Sequence, residues 1–138
     1  MAEIPLVSEQ IDDGRRLIAR LMQEGFRVTA AAWVKESNRP RWYLYLASPD
    51  ADRGGPREGY RDIAEAMEQM PPPFSVGPFQ VKLIGATDPV ARAIEAFRDR
   101  FPGRNGMWFD GDMLGEREID SAYVYGPITA PSSSEASH

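Results

Sequence analysis

The sequence predicts an α+β fold in the order α-β-β-α-β-α-β, with a mostly antiparallel four-strand sheet and helices packed mainly on one face. Three observations lead to that expectation. Two arms rich in β-branched and aromatic residues, FRVTAAAWVKE and RWYLYLAS, flank a Ser-Asn-Arg-Pro cluster, as paired strands and their connection do. Three other segments repeat apolar residues at helical spacing. Two of these helices separate later strands in the manner of crossovers, which calls for some parallel pairing.

Each element has its own signals. Over residues 7–25, Val7, Ile11, Ile18, Leu21 and Met22 fall near one stripe, with Ser8 available as a cap and Gly25 as a stop. Gly14 weakens the middle of that helix by about 1 kcal/mol relative to alanine. After the two arms, SPDADRGG reads as a polar loop. Pro56 suits a first helical turn, and Tyr60, Ile63, Ala64, Met67 and Met70 continue as a buried stripe until Pro71-Pro72-Pro73 ends the helix. Residues 79–84 predict a short strand with Phe79, Val81 and Leu83 inward. Asp88-Pro89 opens a third helix with Val90, Ile94, Phe97 and Phe101 along its stripe. Between residues 102 and 120 the turn dipeptides Asn105-Gly106 and Asp110-Gly111 suggest a small hairpin or ordered loop carrying Met107, Trp108 and Phe109. Residues 119–125 form the last strand. Residues 1–127 are expected to make one domain, and the aperiodic, Ser-rich residues 128–138 a disordered tail.

Composition removes whole classes of chemistry. The chain has no cysteine, and its one histidine is His138, the last of 138 residues. Thiolate sites, disulfides, Ser-His-Asp catalysis and histidine-ligated zinc therefore have no residues to use. A net charge of −5 opposes broad attraction to nucleic acid or anionic membrane. No run approaches a membrane span, and the N-terminus has neither a basic region nor an apolar one of the signal-peptide kind. A cytoplasmic location is the expectation, with no membrane partner and no cofactor.

The two arms also carry the leading candidate for a site. Alternation places Val28, Ala30, Ala32 and Val34 on one side of the first arm, and Arg27, Thr29, Ala31, Trp33 and Lys35 on the other. The second arm separates Trp42, Leu44 and Leu46 from Arg41, Tyr43, Tyr45 and Ala47. If Trp33 pairs with Tyr43, one face is aliphatic and the other gathers Trp33, Tyr43 and Tyr45 among Arg27, Lys35 and Arg41. Such a face fits a protein interface or homodimer contact, rich in Tyr, Trp and Arg. Tyr123, Tyr125, Gln80 and Lys82 could extend it.

The segments GRRLIARL, GFRVTAAAW, RWYLYLASP and DSAYVY resemble a set of small stand-alone bacterial proteins of uncharacterised function, over most of residues 11–125. The resemblance implies a bacterial single-domain protein. It implies no activity, ligand or catalytic residue.

Other constellations are weaker. Asp110 and Asp112, with Glu116, Glu118 and Asp120 following, could offer oxygen ligands to a hard cation, but the spacing is not that of an EF-hand. Ser48-Pro49-Asp50 with Gln80-Val81-Lys82 resembles the acid and lysine of metal-dependent nucleases, departing from them by an intervening helix and by glutamine in place of an acid. The glycines, Gly54-Gly55 among them, match neither phosphate-loop pattern. The expected function is thus a non-enzymatic interaction or accessory domain, working through the aromatic-cationic face or the Trp108 loop. A carboxylate-dependent divalent-metal phosphoesterase or nuclease is the enzyme alternative. A binder of a small ligand or single-stranded nucleic acid is the third.

Overall fold

The computed structural model describes residues 5–54 and 56–127. The predicted tail, His138 and Gly55 lie outside them. The chain forms α1 (Ser8–Gln23), β1 (Ala30–Glu36), β2 (Trp42–Ser48), α2 (Pro49–Gly54) and α3 (Pro56–Glu68). A 3-10 turn (Pro78–Gln80) leads into β3 (Val81–Gly85), α4 (Pro89–Asp99), β4 (Gly106–Phe109), β5 (Met113–Leu114) and β6 (Arg117–Tyr125).

The fold is mixed α and β, as expected, but the sheet has six strands rather than four and is mixed, with one parallel pairing. Its order is β3-β2-β1-β6-β4, with β5 also paired to β6. β3 runs parallel to β2, because α3 carries the chain back across the sheet between them. Every other pairing is antiparallel. Met107, Trp108 and Phe109 lie on or beside a strand, yet not in a hairpin of their own: β4 and β5 each pair with a different stretch of β6.

Helices cover both faces, where the expectation placed them mainly on one. On one side Leu17, Ile18 and Leu21 of α1 and Ile63 and Ala66 of α3 pack on Trp33, Leu44, Leu46, Val81 and Leu83. On the other, Val90, Ala91 and Ile94 of α4 pack on Ala32, Val34, Tyr45, Ala122 and Val124, with Leu114 of β5. Ile119 and Ala122 face the same cluster although they are three apart, because a bulge opposite Lys35 and Glu36 inserts one extra residue, Asp120.

Several local expectations change with this packing. The polar loop after β2 closes into α2, with Ser48 Oγ accepting from the Asp50 amide at 3.1 Å. Phe79 is not an inward strand residue; it sits in the 3-10 turn and is 85% exposed. The cap of α1 is Val7, not Ser8, and the Gln10 side chain accepts from its amide at 3.3 Å. Asp88 caps α4 as expected, accepting from the Val90 amide at 2.8 Å. Gly14, a liability by helix propensity, is where α1 touches the sheet. A Cβ there would collide with Tyr125 Oη and come within 3.0 Å of Trp33 Nε1. The Trp33 indole N–H donates to Tyr125 Oη at 3.0 Å, and the Tyr125 hydroxyl donates to the Ile11 carbonyl at 2.6 Å.

Candidate functional site

The predicted aromatic-cationic face does not form, and the register is the reason. Trp33 pairs with Leu44, not Tyr43; Val34 pairs with Tyr43 and Ala32 with Tyr45. A slip of one residue exchanges the faces of a strand. Trp33 therefore joins Leu44 and Leu46 beneath α1 and α3, while Tyr45 joins Ala32 and Val34 beneath α4. Trp33 and Tyr45 are buried at 0% and 1% exposure. The cations disperse as well. Arg27 pairs with Asp50 at 2.7 Å, Lys35 is buried against Asp120 at 2.7 Å, and Arg41 is exposed just before β2.

A row of ring contacts with one half-exposed end lies elsewhere, on β4. Trp108 is 50% exposed, and its ring stands edge-on to Trp42 at 5.9 Å and to Tyr123 at 5.4 Å. Tyr123 in turn meets Tyr125 at 5.6 Å, so the row runs from the sheet edge into the core. Edge-to-face contacts favour one ring orientation, so Trp108 is held while still wet. β4 is also an edge strand. The Gly126 amide donates to the Asn105 carbonyl at 2.7 Å. Antiparallel alternation then turns the Met107 and Phe109 backbones toward β6, and those of Gly106 and Trp108 outward. Among the described residues no side chain bonds this outer backbone. Arg104 precedes the strand and Asp110 follows it, both exposed.

A second constellation surrounds Glu36, a residue the sequence reading passed over. It continues the alternation of Ala30, Ala32 and Val34, and a carboxylate in line with an apolar set is the signal that could have found it. Its side chain is 5% exposed. Oε2 accepts from the Tyr45 hydroxyl and, at 2.5 Å, from Lys82 Nζ. Arg117 Nη1 and Arg39 Nε approach Oε1 at 3.7 and 4.0 Å. Burial alone would raise the Glu36 pKa; the hydrogen bonds from Lys82 and Tyr45 outweigh it and hold the carboxyl below its usual range. Burial, then the hydrogen bond to Glu36, pushes the Tyr45 phenol well above its ordinary value. The Lys82 ammonium also sits 4.5 Å from the Tyr43 ring centre.

This arrangement takes Lys82 away from Asp50. Lys82 lies beside Tyr45 in the parallel ladder, whereas Asp50 follows the far end of β2, where it binds Arg27. The nuclease-like pairing of the two is therefore not assembled. Asp110 and Asp112 are exposed, and among the described residues no group of three or more His, Cys, Asp or Glu side chains is placed to hold a metal ion. No helix of the described residues is long and apolar enough to cross a membrane. Comparison with known proteins matches no family model, no curated protein and no solved structure.

Proposed function

We propose that the protein is a non-catalytic interaction domain that pairs with a second copy of itself along β4, anchored by Trp108. The observation that carries this reading is a half-exposed tryptophan, fixed by two neighbouring rings, on an outer strand whose outer backbone no described side chain caps. Rigid aromatic anchors lose little conformational entropy on binding and dominate interface energies. Strand addition at an open edge supplies the main-chain bonds.

The local sequence suits a two-fold contact. Outward-facing Gly106 and Trp108 pair with each other in a register centred on Met107, which sets Trp108 of each copy opposite Gly106 of the other. The same register sets Arg104 opposite Asp110, twice across the axis. Opposite charges facing each other across strands stabilise the pair, and like charges oppose it.

Sedimentation velocity tests the reading. The native chain is expected to dimerise with concentration, and Trp108→Ser to remain monomeric. Arg104→Glu and Asp110→Arg should each weaken self-association, and mixing the two variants should restore a heterodimer. A native chain that is monomeric throughout overturns self-pairing.

A further inference from the structure

From the groove beside Glu36 we infer a binding site for a small zwitterion, of which a free α-amino acid is the simplest. The groove has a volume of about 490 Å³, within the range of small-molecule sites. Three elements wall it: the β1–β2 turn from Glu36 to Arg39, the start of α4 at Asp88 to Val90, and the β5–β6 turn from Glu116 to Glu118. Two backbone features hold that shape. Asn38 takes a left-handed φ of 67° in the first turn. Gly115, at φ 64°, lies so close to α4 that a Cβ would stand 2.6 Å from the Pro89 carbonyl oxygen.

The valences inside the groove are unevenly filled. Glu36 Oε2 is occupied by Tyr45 and Lys82, but Oε1 accepts no hydrogen bond among the described residues, since Arg117 and Arg39 stop at 3.7 and 4.0 Å. Among the described residues no fully buried side-chain nitrogen or oxygen lacks a partner, so Oε1 opens on the groove. The two guanidiniums are about half exposed, at 57% for Arg39 and 47% for Arg117, and neither side chain makes a hydrogen bond among the described residues. The site thus offers one acceptor held by a buried framework and two unused planar donors beside it. An ammonium on Oε1 with a carboxylate across the arginines fills both, and guanidinium forks match carboxylates.

Charge on the rim selects against a bare anion. Asp88, Glu116 and Glu118 line the groove with Glu36, four carboxylates against two arginines. The start of α4 is not an open anion site either, because Asp88 already takes the Val90 amide. A dianion such as phosphate is repelled where a neutral zwitterion is not.

Amide NMR of the full chain tests the inference, with each free amino acid, sodium acetate, methylamine and inorganic phosphate as probes. At least one amino acid is expected to shift the Ser37, Asn38, Arg117 and Glu118 amides saturably, with acetate and methylamine weaker by about tenfold or more. The Arg39→Gln/Arg117→Gln variant alters two half-exposed side chains, and its remaining spectrum reports that it folds. It should bind that amino acid about tenfold more weakly or worse. Absence of a saturable shift with every amino acid, unchanged affinity in the double variant, or equal shifts from acetate or phosphate would each overturn the inference.

Discussion

The two outer strands of the sheet are built in opposite ways. β3 is an edge that the molecule closes. The Tyr60 hydroxyl of α3 accepts from the Leu83 amide at 2.8 Å, and Asp52 of α2 accepts from the Ala86 amide at 3.0 Å just beyond the strand. Leu83 and Val81 are core residues, and Gly59 of α3 leaves out a side chain that would strike Leu83. β4 has no such cover among the described residues, and its largest side chain is half in water. Open edges invite pairing with other chains, and proteins usually blunt them. That one edge is capped and the other left open is what recommends β4 as the contact surface.

Variants along these edges should differ in size and in kind of effect. Leu83→Ala is expected to cost about 2–5 kcal/mol in urea melts, as a cavity beneath α3. A loss under about 1 kcal/mol would mean that the β3 edge is no part of the core.

Glu36 lies between the edges and should show an intermediate loss. Glu36→Gln weakens charge-assisted hydrogen bonds, but Lys82 is 31% exposed and the arginines more so, which leaves about 1–2 kcal/mol. The pH dependence has a definite sign. A carboxyl held below its usual range in the fold stabilises fully above the unfolded value, about 4.5, and loses that stabilisation as pH falls through the folded value. The gap between native and Glu36→Gln melts should therefore be constant at neutral pH and narrow in acid. A gap that widens on acidification contradicts the assignment.

Tyr60→Phe removes only the acceptor on the β3 edge. Tyr60 is 40% exposed, so water can replace it, and the expected loss is about 1 kcal/mol or less. Faster exchange of the Leu83 amide is the specific readout, and an unchanged rate would show that the hydroxyl is not its cap.

Trp108→Ser should have the smallest effect on the melting of the monomer, about 1 kcal/mol or less, while abolishing self-association. A monomer destabilised as strongly as by Leu83→Ala would make Trp108 a core residue and remove the contrast between the edges.

Much of the architecture was legible in the chain itself. The helices α1, α3 and α4, the Asp88-Pro89 start and the stop at Gly25 are local signals, set by helix geometry, capping and a positive φ of 91°, although Val7, Tyr60 and Ala64 of the expected stripes are exposed while Leu17 and Ala66 are buried. The alternating sets within β1 and β2 were also correct strand by strand, except that Val28, just before β1, packs with Ala31 and Trp33 rather than with Ala30, Ala32 and Val34. Which set of one strand lies beside which set of the next was not local. It depends on the number of residues in the turn, and a difference of one pairs Trp33 with Leu44 and disperses the expected aromatic face. Glu36 among alanines and valine was visible as an anomaly, but its partners Tyr45, Lys82 and Arg117 come from three other strands and meet only when the sheet is assembled. Trp108 could be read as a turn-flanked aromatic. Its place on an open edge was decided by β6, which pairs with β1 on one side and gives β4 and β5 separate stretches of the other. Local periodicity and capping act within a few residues of chain; register, edges and charge clusters depend on contacts between distant strands, and only the folded sheet specifies them.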